Sequence, residues 1–179
     1  MKVKALVLAA AAVAGLSSAA SAATIYATSV DVYSPGTGIT DPNRSVTSNA
    51  LGAPDGTFLS LGLGGSAVFS FGQTFGSPLT TTEITFKRPN SPEAADVYVG
   101  DGVNWTLLGR ATNPVADTTF TFTGYFTKLL MVDKSRVAAN ADGFDIDAIG
   151  VSPVPVPAAG LLLAGGLGML GARKLRRKA

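Results

Sequence analysis

Between residues 23 and 152, apolar side chains alternate with polar ones in short runs, and clusters of Gly, Pro, Asn and Asp separate the runs. Alternation places every second side chain on one face of an extended chain, which is the pattern of a β-strand with one buried face. The clusters supply the residues that tight turns need. The alternating apolar residues are Ile84 and Phe86, Val97 and Val99, Phe120 and Phe122, and Phe144, Ile146 and Ala148.

Four further segments of this region have the composition of strands, and none has the length and periodicity of a useful helix. Eight or nine short strands at this spacing predict an all-β domain over residues 23–152, an antiparallel β-sandwich or jelly roll. The additional strands are expected at residues 25–32, 67–71, 105–111 and 129–133.

The chain has no Cys and no His, and this limits the chemistry open to it. Without Cys there is no disulfide framework, no thiol nucleophile and no Cys-ligated metal. Without His there is no Ser-His-Asp triad, and the serines lack the usual general base. Any bound metal ion should therefore be a hard cation that takes oxygen ligands.

The charge is distributed unevenly along the chain. The formal net charge is +2, yet residues 23–152 hold seven basic and all twelve acidic residues, a net charge of −5. The positive charge lies in the two ends. A basic surface for nucleic acid is therefore not expected, and the basic ends are typical of membrane-targeting flanks.

Residues 1–22 have the three parts of a secretory signal peptide. Lys2 and Lys4 precede an apolar stretch, which is shorter than the ~20 residues that span a bilayer. The small residues Ala20, Ser21 and Ala22 follow, so cleavage is expected between Ala22 and Ala23. The alternative is a signal helix that is retained as an N-terminal anchor.

Residues 153–179 also have three parts. The motif Val154-Pro155-Val156-Pro157-Ala158 comes first, and its prolines keep the backbone extended. An uncharged run to Ala172 follows as a short C-terminal transmembrane helix, and a basic cluster closes the chain. By the positive-inside rule the cluster stays in the cytoplasm and residues 23–152 lie outside.

This tail resembles the PEP-CTERM sorting signals, in the variant written Val-Pro-Leu-Pro-Ala, with Val156 at the Leu position. The resemblance implies an exosortase-type membrane enzyme as partner. It implies transient insertion in the inner membrane of a Gram-negative bacterium, followed by removal of the tail and display at the cell surface or in the extracellular matrix. The physical alternative is a permanent C-terminal anchor.

The segments 49–56, 59–65, 93–99, 101–109 and 142–151 together resemble the galactose-binding-like (discoidin-type) jelly roll, and the resemblance covers most of residues 24–151. That resemblance implies a Ca²⁺ site where the loop after the first strand meets the last strand, with Asp55, Asp145 and Asp147 as ligands. Carboxylates and carbonyls are suitable Ca²⁺ ligands. The alternative is that Asp55 belongs to an ordinary Pro-Asp-Gly turn and that Asp145 and Asp147 face water.

A carbohydrate surface is the second candidate site, because sugars bind to an exposed aromatic ring beside polar groups. Trp105, Tyr98, Tyr33 and Tyr125 are available, although Trp105 begins a strand and is expected to pack in the core. Two acid pairs, Asp145 with Asp147 and Glu93 with Asp96, have nothing that marks them as catalytic.

The sequence therefore predicts a non-enzymatic, exported surface or extracellular-matrix protein. It would act by binding polysaccharide or by structuring an exopolysaccharide matrix. The alternative is a glycan-processing enzyme on the same β-sandwich scaffold.

Overall fold

The computed structural model describes residues 23–84, 92–137 and 141–154. In those ranges the chain forms nine β-strands and two short 3₁₀ helices, Pro42–Ser45 and Thr47–Ala50, so the prediction of an all-β domain is confirmed. The strands are β1 (Ile25–Tyr26), β2 (Ser29–Ser34), β3 (Leu59–Ser60), β4 (Ser66–Glu83), β5 (Ala94–Gly100), β6 (Trp105–Thr112), β7 (Asp117–Phe120), β8 (Phe126–Asp133) and β9 (Asp145–Pro153).

Strand β4 belongs to both layers of the sandwich. Residues 66–70 pair with β2 and β8, whereas residues 79–83 pair with β7 and β9. The register shifts between the two parts, where Gly72 has a φ of 69°, a left-handed conformation that favours glycine. The first sheet thus has the order β2-β4-β8-β5-β6. The second has the order β7-β4-β9, with β1 and β3 along the far edge of β9, and all pairs are antiparallel.

The hydrophobic core lies between the two layers. Phe69, Val97 and Leu129 enter it from the first sheet, and Leu79 and Ile149 enter it from the second. All five side chains are fully buried. Burial of one side chain of this size contributes about 1.5–3 kcal/mol, so the alternating positions supply most of the force that closes the sandwich.

Strand β9 differs from its prediction. Alternation predicted one buried face, with Asp145 and Asp147 on the opposite, open face. In the structure every residue from 144 to 151 is buried. The strand lies inside the second sheet between β4 and the edge strands, and the 3₁₀ helix Thr47–Ala50 packs against it.

Several strand boundaries also differ from expectation. The segment expected at residues 25–32 is divided into β1 and β2. The run that was expected to continue to Phe122 ends as β7 at Phe120. Strand β4 ends at Glu83, just before Ile84, and Phe86 lies outside the described residues.

The two predicted targeting segments lie almost wholly outside the described residues. Of the positions singled out there, the structure describes Ala23 and Val154, while Ala22, Pro155, Val156, Pro157 and Ala158 fall outside. The predicted domain limits and both terminal helices therefore stay predictions. Within residues 23–84, 92–137 and 141–154, no helix has the length and apolarity needed to cross a membrane.

Asp133, the last residue of β8, is a buried carboxylate that ties three segments together. It accepts hydrogen bonds from the amides of Gly64 at 2.9 Å, Phe144 at 2.9 Å and Ser135 at 3.2 Å. The Ser135 hydroxyl donates a fourth at 2.6 Å. The carboxylate thus satisfies buried backbone donors that would otherwise lose their partners.

Asp133→Asn should lower the free energy of unfolding by about 3 kcal/mol, since the new amide group meets backbone donors instead of accepting from them. Urea unfolding measures the change. Asp117→Asn is the matched control, because Asp117 is exposed and its carboxylate accepts a single hydrogen bond from Thr82 at 2.8 Å. An equal, small effect of both substitutions would contradict the role given to Asp133.

Candidate functional site

One face of the first sheet points away from the core, and we call it the outer face. Phe69 on β4, Val97 on β5 and Leu129 on β8 point inward. Their sequence neighbours therefore point outward, because side chains alternate along a strand. Antiparallel register then arranges the outward side chains in rows that cross the sheet.

The first row consists of Ser70, Lys128, Gly100 and Trp105, which are consecutive partners across β4, β8, β5 and β6. The indole lies over Gly100, since a Cβ placed on Gly100 would stand 2.8 Å from Trp105 Cε3. Glycine is required there, because the same Cβ would also stand 2.1 Å from the Asn104 carbonyl oxygen. Trp105 is half-buried and lies outside the core cluster. The expectation that it packs in the core is therefore wrong, because β6 is the edge strand of its sheet.

Lys128 is the centre of a polar network in the same row. Its Nζ pairs with Asp31 Oδ2 and donates to Ser70 Oγ at 2.6 Å. Ser70 Oγ donates to the same Asp31 oxygen at 2.5 Å, and Ser29 Oγ donates to Asp31 Oδ1 at 2.9 Å. The hydrogen bond from Lys128 is the main reason why the pKa of Asp31 lies below its ordinary value. The network holds a fixed set of donors and acceptors at the surface.

A cleft of about 270 Å³ adjoins Lys128. This is close to the lower end of the range of ligand pockets, which begins at about 300 Å³. Hydroxyl, amide and ammonium groups provide most of its polar lining. The lining residues are Ser70, Gly72, Gln73, Thr74, Thr127 and Lys128.

The next row across the outer face is apolar. It runs through Val32, Val68, Leu130, Tyr98 and Leu107 on five successive strands. Val32 and Leu107, at the two edges, are each 54% exposed, and Tyr98 is half-buried. The outer face therefore carries two aromatic rings, Trp105 and Tyr98, on neighbouring rows.

A third row completes the face with an ion pair. Asp96 and Arg110 are partners across β5 and β6, and Arg110 Nε donates to Asp96 Oδ1 at 2.7 Å. Asp96 and Glu93 form one of the two acid pairs that the sequence offers for catalysis. Here its carboxylate binds a guanidinium, and Glu93 is buried just before β5.

The other two candidate aromatic residues lie elsewhere. The Tyr33 hydroxyl donates to the Ser60 carbonyl at 2.7 Å, so its polar end is used inside the fold. Tyr125 is 62% exposed and lies against Gly76, whose strand partner there is Ser152 of the second sheet. Of the four candidates, only Trp105 and Tyr98 share a face.

Asp55 and Asp147, two of the predicted Ca²⁺ ligands, meet in the structure. Asp147 accepts hydrogen bonds from the amides of Asp55 at 3.0 Å and Gly56 at 3.2 Å. The Asp55 carboxylate accepts from the Thr57 amide at 2.8 Å and from its hydroxyl at 2.6 Å. The predicted contact between this loop and the last strand exists, and it is made through backbone amides.

Asp145, the third predicted ligand, has different partners. Ser60 Oγ donates to one carboxylate oxygen, and Arg44 Nη2 donates to the other at 2.6 Å. Arg44 also pairs with Asp142. In the described part of the chain, no three acidic side chains form a group that could hold a metal ion. The Ca²⁺ hypothesis therefore stays a prediction, and the three predicted ligands do not form an acidic cluster in the described part of the chain.

Several known structures share this fold. A carbohydrate-binding module of AlyQ (CBM32) in complex with 4,5-unsaturated mannuronic acid is 13% identical, with a TM-score of 0.50. The match covers 72% of this chain and 97% of the AlyQ module. A pectin-binding carbohydrate-binding module is 16% identical, with a TM-score of 0.50 and coverages of 76% and 96%. The C-terminal domain of a chitobiase from Bacteroides fragilis is 14% identical, with a TM-score of 0.50 and coverages of 75% and 99%.

The chain thus has the galactose-binding-like β-sandwich fold of carbohydrate-binding modules, as the sequence resemblance predicted. No family model and no curated protein matches the sequence. At these identities the likeness establishes the fold alone. The outer face must therefore be argued from its own residues.

Burial raises the pKa of Asp145 from 3.8 to about 6, although the Ser60 hydrogen bond and the Arg44 charge act in the opposite direction and nearby Glu93 adds to the rise. Because the pKa is raised in the folded state, this group's contribution to stability is lost as the pH rises through about 6. Wild type should therefore lose about 2 kcal/mol relative to Asp145→Asn between pH 4 and pH 7.

Urea unfolding of both proteins across that pH range measures this difference. Asp55→Asn is the control with the opposite sign, because its hydrogen bonds from Thr57 lower the Asp55 pKa. The stability that Asp55 contributes should be lost as the pH falls below about 4. If the difference in free energy of unfolding between wild type and Asp145→Asn does not change with pH, the pKa of Asp145 is not raised by burial.

Proposed function

We propose that this protein is an exported, non-enzymatic protein of the cell surface or extracellular matrix, and that its β-sandwich binds polysaccharide on the outer face. The observation that carries the proposal is the position of Trp105. Its indole lies over Gly100, in the same row as Lys128 and Ser70. A rigid aromatic surface next to fixed hydrogen-bonding groups is the arrangement that sugar rings require.

The chemistry of the outer face supports this reading. Trp105 and Tyr98 offer aromatic surface to the apolar C–H faces of sugar rings. Asp31 and Ser70 offer oxygen acceptors, and Lys128 offers a donor, to hydroxyl groups at the ring edges.

The acids on this face do not favour the alternative of a glycan-processing enzyme. Asp31 pairs with Lys128, and Asp96 pairs with Arg110. Hydrolysis by two carboxylates needs one of them to be a proton donor at neutral pH. The pKa of Asp31 is instead lowered by Lys128, so it is ionised there.

Export and sorting are the part of the proposal that rests on the two ends of the chain. The signal peptide at residues 1–22 would deliver the protein to the inner membrane. An exosortase-type enzyme would then act at the tail that resembles PEP-CTERM signals. The domain would reach the surface or matrix with a net charge of −5 over residues 23–152.

Trp105→Ala should weaken binding to a recognised polysaccharide by about tenfold or more, which corresponds to about 1.4 kcal/mol. Affinity electrophoresis in gels that contain the polysaccharide measures it. Trp105 is the only Trp of the chain, so a ligand-dependent change in the fluorescence of the wild type reports the same site.

Tyr125→Ala is the matched control, because it removes a more exposed aromatic ring from a different surface. It should leave binding unchanged. Loss of binding in Tyr125→Ala and not in Trp105→Ala would show that the outer face is not the site.

The Ca²⁺ hypothesis makes a separate prediction. An ion bound only by the native state must raise stability by an amount that grows with its concentration. The hypothesis therefore predicts a higher Tm in millimolar CaCl₂ than in EDTA, and a smaller difference in Asp147→Asn. Equal Tm values in the two solutions would remove Ca²⁺ from the account.

A further inference from the structure

We propose that the outer face takes a neutral polysaccharide and contacts several consecutive sugar rings of an extended chain. This inference rests on the proposed function and adds the class of ligand. It would exclude acidic polymers and single terminal sugars as the main ligands. Two independent features of the face carry it, the pairing of its cations and the direction of its rows.

The pairing of the cations determines which ligand charge the outer face accepts. Lys128 binds Asp31 and Ser70, and Arg110 binds Asp96. Each cation that the structure places on the outer face thus has a carboxylate within hydrogen-bonding distance. A sugar carboxylate that approached Lys128 would meet the charge of Asp31 at nearly the same distance, so attraction and repulsion would largely cancel.

The overall charge acts in the same direction. Residues 23–152 carry a net charge of −5. A polyanion is therefore repelled at distances up to the Debye length, about 10 Å at 0.1 M salt. A neutral chain is not repelled. Its hydroxyl groups can both donate to Asp31 and accept from Lys128, whereas an ionised carboxylate only accepts.

The direction of the rows determines how long a stretch of sugar chain the outer face can contact. From Trp105 on β6 to Ser70 on β4, the first row crosses four adjacent strands. At about 4.8 Å between neighbouring strands, its backbone positions span roughly 14 Å. This is longer than one sugar ring. The cleft lined by Gln73 and Thr74 adjoins the row at Ser70 and Lys128.

The apolar row, from Val32 to Leu107, lies beside the first row and crosses the same strands. Val68, Leu130 and Tyr98 lie two residues along their strands from Ser70, Lys128 and Gly100, on the same face of the sheet. An extended sugar chain also has C–H surface and hydroxyl groups side by side along its length. The two rows therefore match such a chain over several rings.

Titration calorimetry on the purified protein tests the inference with defined probes. The neutral probes are oligosaccharides of one to six units from cellulose, xylan, mannan and galactan. The acidic probes are sodium alginate and polygalacturonate. At least one neutral series should bind, with Kd falling about tenfold or more between one and four units. Its affinity should change less than about twofold between 50 and 500 mM NaCl.

Asp31→Asn sharpens the test, because it leaves the Lys128 charge without its carboxylate. This variant should gain affinity for alginate and polygalacturonate, and the gain should disappear at high salt. Asp117→Asn is the matched control, since it changes the net charge equally from an exposed position on β7 of the second sheet. Equal gains in both variants would overturn the argument from paired cations.

The outcomes separate this inference from the proposed function. Salt-sensitive binding of the acidic polymers by wild type, or equal affinity for one unit and four, would overturn the inference and leave polysaccharide binding intact. Absence of binding to every neutral and acidic probe would remove the proposed function, and the inference with it.

Discussion

The arrangement of the outer face depends on the register of β4. This strand pairs with β2 and β8 through residues 66–70 before it crosses into the second sheet. Its register with β8 sets Ser70 opposite Lys128, and β8 in turn sets Lys128 opposite Gly100. A slip of one residue would turn the outward side chains into the core, so burial of Phe69 and Leu129 also fixes the surface.

Carboxylates fix the loops around this scaffold. Asp133 accepts hydrogen bonds from the amides of Gly64 and Phe144. Asp147 accepts hydrogen bonds from the amides of Asp55 and Gly56 in the turn before β3. These acids satisfy backbone donors in loops that pack without regular strand pairing. The negative charge of the domain is thus partly a consequence of its architecture, and the same charge disfavours acidic ligands.

The alternation of apolar residues, together with composition, predicted the all-β class and strands such as β5, because burial on one face leaves that pattern in the sequence. It misled at β9, where Asp145 and Asp147 are buried by long-range partners that no local pattern records. The Trp105 environment was missed for the same reason, since only the pairing of β6 with Gly100 reveals it. Asp31 and Lys128 are far apart in sequence, and the sandwich topology alone brings them together.

Mapping the bound ligand on the protein tests the central claim most directly. Amide chemical shifts recorded during titration with a neutral oligosaccharide, together with the indole N–H signal of Trp105, would locate the contact. The account predicts that the largest changes fall on Trp105, Lys128, Ser70 and Tyr98. Changes centred on Tyr125 and Gly76, with the Trp105 indole unaffected, would contradict it.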